Sequence, residues 1–228
     1  MDSLPVTILD LIALSWFVLC WLTYSFWENK KPGLAHDVNL RREQWAKNML
    51  LRDNRILDIQ AITALIRNVT FFASTSILIL AGLVAVLGAY EDVAKMFAYF
   101  PFAQDINPET MALKTFTLMA IFVFAFFKFG WSIKQHSISA VILAAIPNPG
   151  DANTPEARMD ALRMARLSGL GAKHFNDGIR GFYFALAALG WFINAWVFMA
   201  AVVWVVIVLY RREYHSHAHY LLACESIK

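Results

Sequence analysis

The sequence is poor in charged residues and almost lacks cysteine. Only 16% of its 228 residues are Asp, Glu, Lys or Arg, while 59% are hydrophobic, and this balance excludes an ordinary soluble domain. Cys20 and Cys224 do not have the spacing of a disulfide scaffold or of a zinc site. Intrinsic disorder is also excluded, because aromatic residues make up 14% of the chain.

Long apolar runs are what the sequence has instead. Four runs reach the roughly 20 residues that a helix needs to cross a hydrocarbon core, and they cover about residues 5–27, 67–89, 113–135 and 182–210. The first run is an anchor rather than a cleaved signal peptide, because Asp2 precedes it and no cleavage site follows before Lys30. The sequence therefore predicts an all-α integral membrane protein with four transmembrane helices in a single membrane domain.

The connections between the apolar runs differ in positive charge. Residues 28–67 hold eight Lys and Arg and residues 134–180 hold six, whereas residues 90–112 hold one. Because short basic loops stay in the cytoplasm, both basic connections are predicted to be cytoplasmic, with both chain ends on the far side of a bacterial inner membrane. Arg211, Arg212 and Lys228 oppose this assignment, since it places them outside.

Both cytoplasmic connections are predicted to be helical. No Gly or Pro interrupts the first connection beyond Gly33, and apolar residues recur at helical spacing, which favours an amphipathic helix over about 37–66. In the second connection Thr154-Pro155 has the pattern of an N-cap followed by proline, so a helix is expected over about 155–170. Ser168-Gly169-Leu170-Gly171 is interpreted as the end of that helix.

Few polar groups fall inside the predicted spans. Asp10 and Lys128 lie near span ends, so they either reach the interface by snorkelling or line a pathway. The second span gathers small and polar residues in its cytoplasmic half, which indicates a helix that faces other helices or water. Asn194 would line a pathway or bond a neighbouring helix. The candidate pathway-lining residues are Asn68, Thr70, Ser74, Thr75 and Asn194.

Cations, aromatic residues and a carboxylate gather at the predicted cytoplasmic membrane face. Two interpretations stay open: ion pairs and aromatic contacts that hold helix ends together, or a basic vestibule that attracts small anions or anionic lipid head groups. The candidate anion- or lipid-binding residues, called the vestibule residues below, are Arg52, Arg55, Lys128, Trp131, Lys134, His174, Asn176, Asp177 and Arg180.

Three histidines alternate near the end of the chain, at His215, His217 and His219. They could bind zinc or copper if the tail were extended, but no carboxylate or thiolate stands at ligand spacing, which favours an exposed polar tail. The sequence has no nucleophile, phosphate-loop or metalloprotease motif, so no cofactor is expected. Nucleic-acid binding is not expected either, because membrane topology accounts for the positive charge.

Five short segments resemble those of domain-of-unknown-function family 599, membrane proteins of bacteria and plants. The resemblance covers nearly the whole chain and implies a four-span, largely helical membrane protein, but it brings no activity with it. The segments are Arg52-Asp53-Asn54-Arg55-Ile56, Phe71-Phe72-Ala73-Ser74, Phe127-Lys128-Phe129-Gly130-Trp131-Ser132, His174-Phe175-Asn176-Asp177-Gly178-Ile179-Arg180 and Tyr210-Arg211-Arg212-Glu213-Tyr214.

Two functional hypotheses follow, and they belong to different classes. The first is a homo-oligomeric channel or transporter, or a lipid-handling protein, which uses the basic vestibule and a pathway along the second span. The second is a non-catalytic accessory or scaffold subunit of a larger membrane complex, supported by the amphipathic helix and by Trp191, Trp196 and Trp204. Membrane lipids, anionic ones included, are expected partners. A membrane enzyme ranks third, with Asp53, Asp177, His136 and His174 as acid and base candidates.

Overall fold

The computed structural model describes residues 7–28, 33–97, 99, 107–149 and 154–224, and within these ranges every regular element is helical. The α-helices in chain order are α1 (Ile8–Glu28), α2 (Leu34–Met49), α3 (Ile56–Gly88), α4 (Tyr90–Phe97), α5 (Pro108–Ala145), α6 (Pro155–Leu189), α7 (Ala195–Tyr214) and α8 (His217–Cys224). A short 3₁₀ helix, Gly190–Phe192, separates α6 from α7.

Within the described residues, four segments are long and apolar enough to cross a membrane. They are α1, α3, α5 and the stretch Ala195–Leu222, which takes in α7 and most of α8. The all-helical, multi-pass membrane fold predicted from the sequence is therefore confirmed. With 33 and 38 residues, α3 and α5 are much longer than the roughly 20 residues that a crossing needs.

The helices form two compact units. The first comprises residues 1–31, 76–125 and 179–212. Its core is aromatic: the rings of Trp191 and Phe198 stack with centroids 4.8 Å apart, and Phe17 lies 5.7 Å from Phe184 and 5.6 Å from Phe198. Towards the other end of α1, Trp27 stacks on Tyr210. Because later residues of α1 meet later residues of α7, these two helices run in the same direction.

The second unit comprises residues 32–75, 126–178 and 213–228. Its apolar core includes Met49 from α2, Ile62 from α3, Leu143 from α5 and Met164 from α6. Two hydrogen bonds show that α5 and α6 are antiparallel here. Ser139 Oγ donates to the Met164 carbonyl at 2.9 Å, and Ser132, earlier in α5, donates to the carbonyl of Gly171, later in α6.

The helix predicted over 37–66 is two helices, α2 and α3, separated by residues 50–55. Polar side chains stabilise the break. Asn54 Oδ1 accepts the backbone N–H of Ile56 at 2.9 Å, and Asp58 Oδ1 accepts hydrogen bonds from both Trp45 and Arg52 across the break. A helix can therefore end here without Gly or Pro, and the argument from their absence does not detect it.

The predicted helix end at residues 168–171 is wrong, because α6 continues to Leu189. The predicted start is confirmed: Thr154 Oγ1 accepts the Ala157 N–H at 3.2 Å. Gly169 and Gly171 are sites of close packing inside the helix. A Cβ at Gly169 would lie 2.8 Å from Asn39 Oδ1, and one at Gly171 would lie 2.9 Å from His136 Nε2. Glycine here admits a neighbouring side chain and does not end the helix.

The predicted span over 182–210 is interrupted at residues 190–194. Asn194 is the N-cap of α7, because its Oδ1 accepts the Trp196 N–H at 2.8 Å. Gly190 packs tightly against α7, since a Cβ there would lie 3.2 Å from Val197 Cγ1. The chain reverses direction at this turn. The last part of α6 and the helix α7 are therefore separate and run antiparallel in the first unit.

Candidate functional site

The candidate site is the part of the second unit around an ion pair that joins α5 to α6. Lys128 Nζ lies 2.7 Å from Asp177 Oδ2, and the two side chains are 27% and 15% exposed. The antiparallel packing of α5 and α6 brings these two positions together. Because neither group is fully buried, water and salt weaken their attraction, and the pair can respond to its surroundings.

His174 lies one helical turn before Asp177 and shares its electrostatic environment. The Nδ1 atom is buried and has no hydrogen-bond partner within the part of the chain that the structure describes.

A cluster of phenylalanines holds α3, α5 and α6 together in the same unit. The ring centroids of Phe72, Phe129 and Phe175 lie 5.6 to 5.9 Å apart. Gly178 leaves the space that the Phe129 ring occupies, because a Cβ at this glycine would overlap the ring. The cluster fixes the spacing of the helices that carry Lys128, His174 and Asp177.

Arg52 and Arg55 bind groups of the protein itself at the start of α3. Arg52 Nη1 lies 2.5 Å from Asp58 Oδ1, whose side chain is only 1% exposed. Arg55 donates to the carbonyls of Ile146 and Pro147, each at 2.6 Å, just beyond the last residue of α5. A guanidinium at this position satisfies orphan carbonyls and complements the negative end of the helix dipole.

The remaining vestibule residues do not form one open ring of cations. Arg180 belongs to the first unit, where it pairs with Glu28 and lies over the ring of Tyr24. In the second unit Lys134 Nζ lies 5.0 Å from the ring centroid of Trp131, and both side chains are exposed. Asn176 is also exposed. These contacts favour the interpretation that most of the cations hold helices together.

The predicted pathway residues of α3 lie at the two edges of its uncovered side, whose middle carries the exposed apolar residues Phe71 and Leu78. Asn68, Thr70 and Ser74 are exposed and Thr75 is half-buried, whereas Val69 and Ala73 face the core. The hydroxyls of Thr70 and Thr75 donate to carbonyls of their own helix, at 2.9 and 2.8 Å. Their oxygen lone pairs therefore remain available to water or a solute.

A buried charged cluster in the first unit includes one residue that the sequence analysis did not single out, Lys114. Lys114 and Asp10 are each 2% exposed, and Lys114 Nζ lies 3.8 Å from Asp10 Oδ1. The ammonium donates to the Trp191 carbonyl at 2.9 Å, and the Trp191 indole donates to Asp10 at 2.6 Å. Thr7 also bonds the carboxylate. Asp10 therefore has a buried partner and does not snorkel.

A row of buried polar residues on α5 adds two serines to His136, which the sequence analysis named only as an acid and base candidate. Ser132, His136 and Ser139 have the i, i+4, i+7 spacing of one helix face, and each is at most 1% exposed. Ser132 Oγ donates to the Gly171 carbonyl at 2.7 Å, and His136 packs on the same glycine. His136 Nδ1 and Ser168 Oγ find no partner among the residues described. In the sequence, this row is indicated by polar residues that recur at helical spacing within an apolar run.

The histidine tail is helical and packs on α2. His219 Nδ1 lies 2.7 Å from Asp37 Oδ2, while His215 and His217 are exposed. Glu213, just before α8, accepts the Ala35 N–H at 3.0 Å. Among the described residues no group of three His, Cys, Asp or Glu side chains is arranged to hold a metal ion. The tail therefore joins the second unit through α2.

Comparison with known proteins identifies a family and gives no activity. A sequence model described as "Protein of unknown function, DUF599" matches residues 12–218. No curated protein and no solved structure matches the chain. The match covers most of α1 and all of α3, α5, α6 and α7. It includes the Lys128–Asp177 pair of the second unit and Lys114 of the buried charged cluster, but Asp10 lies before it.

Proposed function

The chain belongs to the DUF599 family, and we propose that it is a homo-oligomeric membrane channel or transporter with a polar pathway along the uncovered face of α3. One observation carries the proposal: Asn68, Thr70 and Ser74 are exposed on a helix that is apolar enough to span a membrane. Lipid cannot hydrogen-bond such groups. Water or protein satisfies such groups better than lipid does, and further copies of the chain around an axis would supply both.

The same helix offers a surface for close contact with another copy. Ala81, Ala85 and Ala89 recur at four-residue spacing and are exposed. Gly82 and Gly88 are exposed as well, and a Cβ at either would meet nothing within 4 Å. Small residues in this arrangement allow the backbones of membrane helices to approach closely. One end of α3 thus suits helix association, and the other end suits a polar pathway.

The charge next to the polar face favours a small anion as the transported solute. Arg67 is exposed and directly precedes Asn68. A guanidinium there attracts anions and repels cations at low dielectric. Most of the vestibule cations contact protein groups, and in this proposal Lys128, Arg52 and Arg55 fix the helices. The anion is attracted by Arg67 and Lys134.

The helix directions support a topology of five crossings, with α6 as the fifth. In the first unit α1 and α7 run in the same direction, and α6 is antiparallel to both. If α1 and α7 both cross, the chain ends lie on opposite sides. The tail then joins the basic connections in the cytoplasm, which replaces the prediction of two outer ends and accounts for Arg211 and Arg212.

An impermeant thiol reagent should spare Ser216→Cys in a Cys-free background in right-side-out vesicles, and labelling there would exclude this topology.

The proposed pathway is tested by anion flux from vesicles that contain the purified protein. Ser74→Leu places a large apolar group on the polar face and should lower flux at least tenfold. The matched control is Ser15→Leu on α1, because Ser15 is also an exposed serine of a span. Equal flux for both variants, or wild-type flux at the level of empty vesicles, would refute the pathway.

The rival proposal, an accessory or scaffold subunit, is supported by exposed aromatic residues on α7. Trp196 is 65% and Trp204 is 68% exposed, whereas Trp191 is buried in the first unit. Mass determination after mild extraction separates the two proposals. A homo-oligomer without another protein at comparable amount supports the channel or transporter, and one-to-one association with a larger complex supports the accessory subunit.

A further inference from the structure

We propose that the second unit contains a binding site for a small monovalent anion, of the class of chloride, between α2, α5 and α6. The anion would be held by Arg42 of α2, His136 of α5 and Ser168 of α6. None of these residues belongs to α3, so the site is separate from the proposed pathway.

Arg42 lies against α6 from the side of α2. Its Nη1 donates to Asn39 Oδ1 at 2.8 Å, and the same oxygen lies 2.8 Å from where a Cβ of Gly169 would be. A side chain at residue 169 would displace this amide, so glycine is what lets the α2 side chains approach α6. The guanidinium is therefore held beside Ser168, the residue before that glycine.

His136 lies against the same turn of α6 from the side of α5. Its Nε2 lies 2.9 Å from where a Cβ of Gly171 would be. Because successive helical residues are about 100° apart, Ser168 lies on the surface of α6 between Gly169 and Gly171. Arg42 and His136 thus flank Ser168, and they are close enough for the charge of Arg42 to act on the imidazole.

Two buried polar atoms at this turn lack a partner among the described residues. Ser168 is fully buried and His136 is 1% exposed. Neither Ser168 Oγ nor His136 Nδ1 forms a hydrogen bond with any group that the structure describes. A buried polar atom without a partner costs stability, so such atoms commonly mark an ordered water or ion. Both can donate, the imidazole in the tautomer that carries the proton on Nδ1.

The charge of Arg42 favours an anion over water as the bound group. Within the described part of the chain, its hydrogen bond goes to the neutral amide of Asn39 and no carboxylate pairs with it. Glu43, the next residue, pairs with Arg166 at 3.6 Å. Burial lowers the pKa of Arg42, which shows that the guanidinium is partly removed from water. Water would satisfy hydrogen bonds but not this charge, whereas an anion does both.

The packing favours a monatomic anion. Asn39 and His136 already fill the space beside the two glycines. Phosphate would have to displace these side chains, whereas a halide takes about the room of one buried water molecule.

The test is thermal unfolding of the full chain in detergent, with sodium gluconate replaced stepwise by sodium chloride at constant ionic strength. The midpoint should rise saturably, by about 3–6 °C when chloride is tenfold above its dissociation constant. Arg42→Met should abolish this rise, because it removes the charge and keeps an unbranched side chain. The matched control is Lys47→Met, which should retain the rise, because Lys47 is an exposed cation of the same helix.

Ser168→Ala keeps the proposal testable if Arg42→Met does not fold. In gluconate this variant should be at least as stable as the wild type, because it removes a buried hydroxyl that has no described partner. In chloride it should be less stable, because it loses a contact with the anion. Ser74→Leu, the pathway variant, should keep the whole chloride effect, so failure of the pathway and failure of this site are distinguishable.

Three results would overturn the site. A wild-type midpoint that does not change between gluconate and chloride would mean that no chloride binds. An equal chloride-dependent rise in Arg42→Met and Lys47→Met would place the chloride elsewhere. A loss of stability in Ser168→Ala that is the same in both salts would mean that a bridging water, and not an anion, contacts this hydroxyl.

Discussion

Both units contain a lysine–aspartate contact between helices, and the two contacts differ in what surrounds them. In the first unit Lys114 and Asp10 are each 2% exposed and share Trp191, whose carbonyl and indole satisfy one partner each. In the second unit the Lys128 and Asp177 side chains are 27% and 15% exposed. The first pair is enclosed by groups that hydrogen-bond it, and the second remains open to water.

The difference separates a structural role from a role that can change with conditions. A fully buried pair with satisfied neighbours has no room for a ligand and no water to exchange with. A partly exposed pair, next to a His174 Nδ1 that has no partner among the described residues, can be altered by pH, salt or a bound anion. An ionisable group inside a span is therefore a good indicator of function only when its burial and its partners are known.

The largest effect is expected from breaking the buried pair. Lys114→Met should leave the Asp10 carboxylate buried without a cation and lower the free energy of unfolding by about 3–5 kcal/mol. Lys128→Met should lower it by only about 1 kcal/mol, because water screens the partly exposed pair. Thermal unfolding in detergent of both variants measures this difference.

A double variant provides the control for the buried pair. Asp10→Asn combined with Lys114→Met removes both charges, so it should recover part of the stability that Lys114→Met alone loses. If the two lysine variants were equally destabilised, or if the double variant were no better than the single one, the contrast between the two contacts would be wrong.

The second contrast compares two glycines at helix contacts. The expected loss of stability is smaller than that of Lys114→Met. Gly178→Ala in the second unit should destabilise by about 1–3 kcal/mol, because the new methyl must displace the fully buried ring of Phe129. Gly181→Ala in the first unit should cost less, since its Cβ would lie 3.3 Å from the Ala125 methyl. Thermal midpoints measure the order of the two variants.

Gly130→Ala is the matched control for these glycines, because a Cβ at this helical position would meet nothing within 4 Å. Alanine there should be neutral or slightly stabilising through its better helix propensity. A loss at Gly130 as large as the loss at Gly178 would show that something other than the Phe129 contact decides the cost.

The sequence predicts the fold better than it predicts the site, for a physical reason. Long apolar runs predict helices because crossing lipid imposes a length and a composition, so the four candidate spans are recovered. Helix breaks are less visible. Asn54 and Asn194 cap the starts of α3 and α7 through hydrogen bonds that many asparagines could make. Gly169 and Gly171 serve packing within α6, although glycine often ends a helix.

The site depends on partners, and partners come from distant positions. Lys128 and Asp177 are both visible in the sequence as polar groups, but their 2.7 Å contact requires the antiparallel pairing of α5 and α6. Lys114 falls at the edge of an apolar run, where a lysine is ordinary, and only its burial beside Asp10 makes it notable. The prediction of a basic vestibule rests on composition, and composition does not show which cations have internal partners.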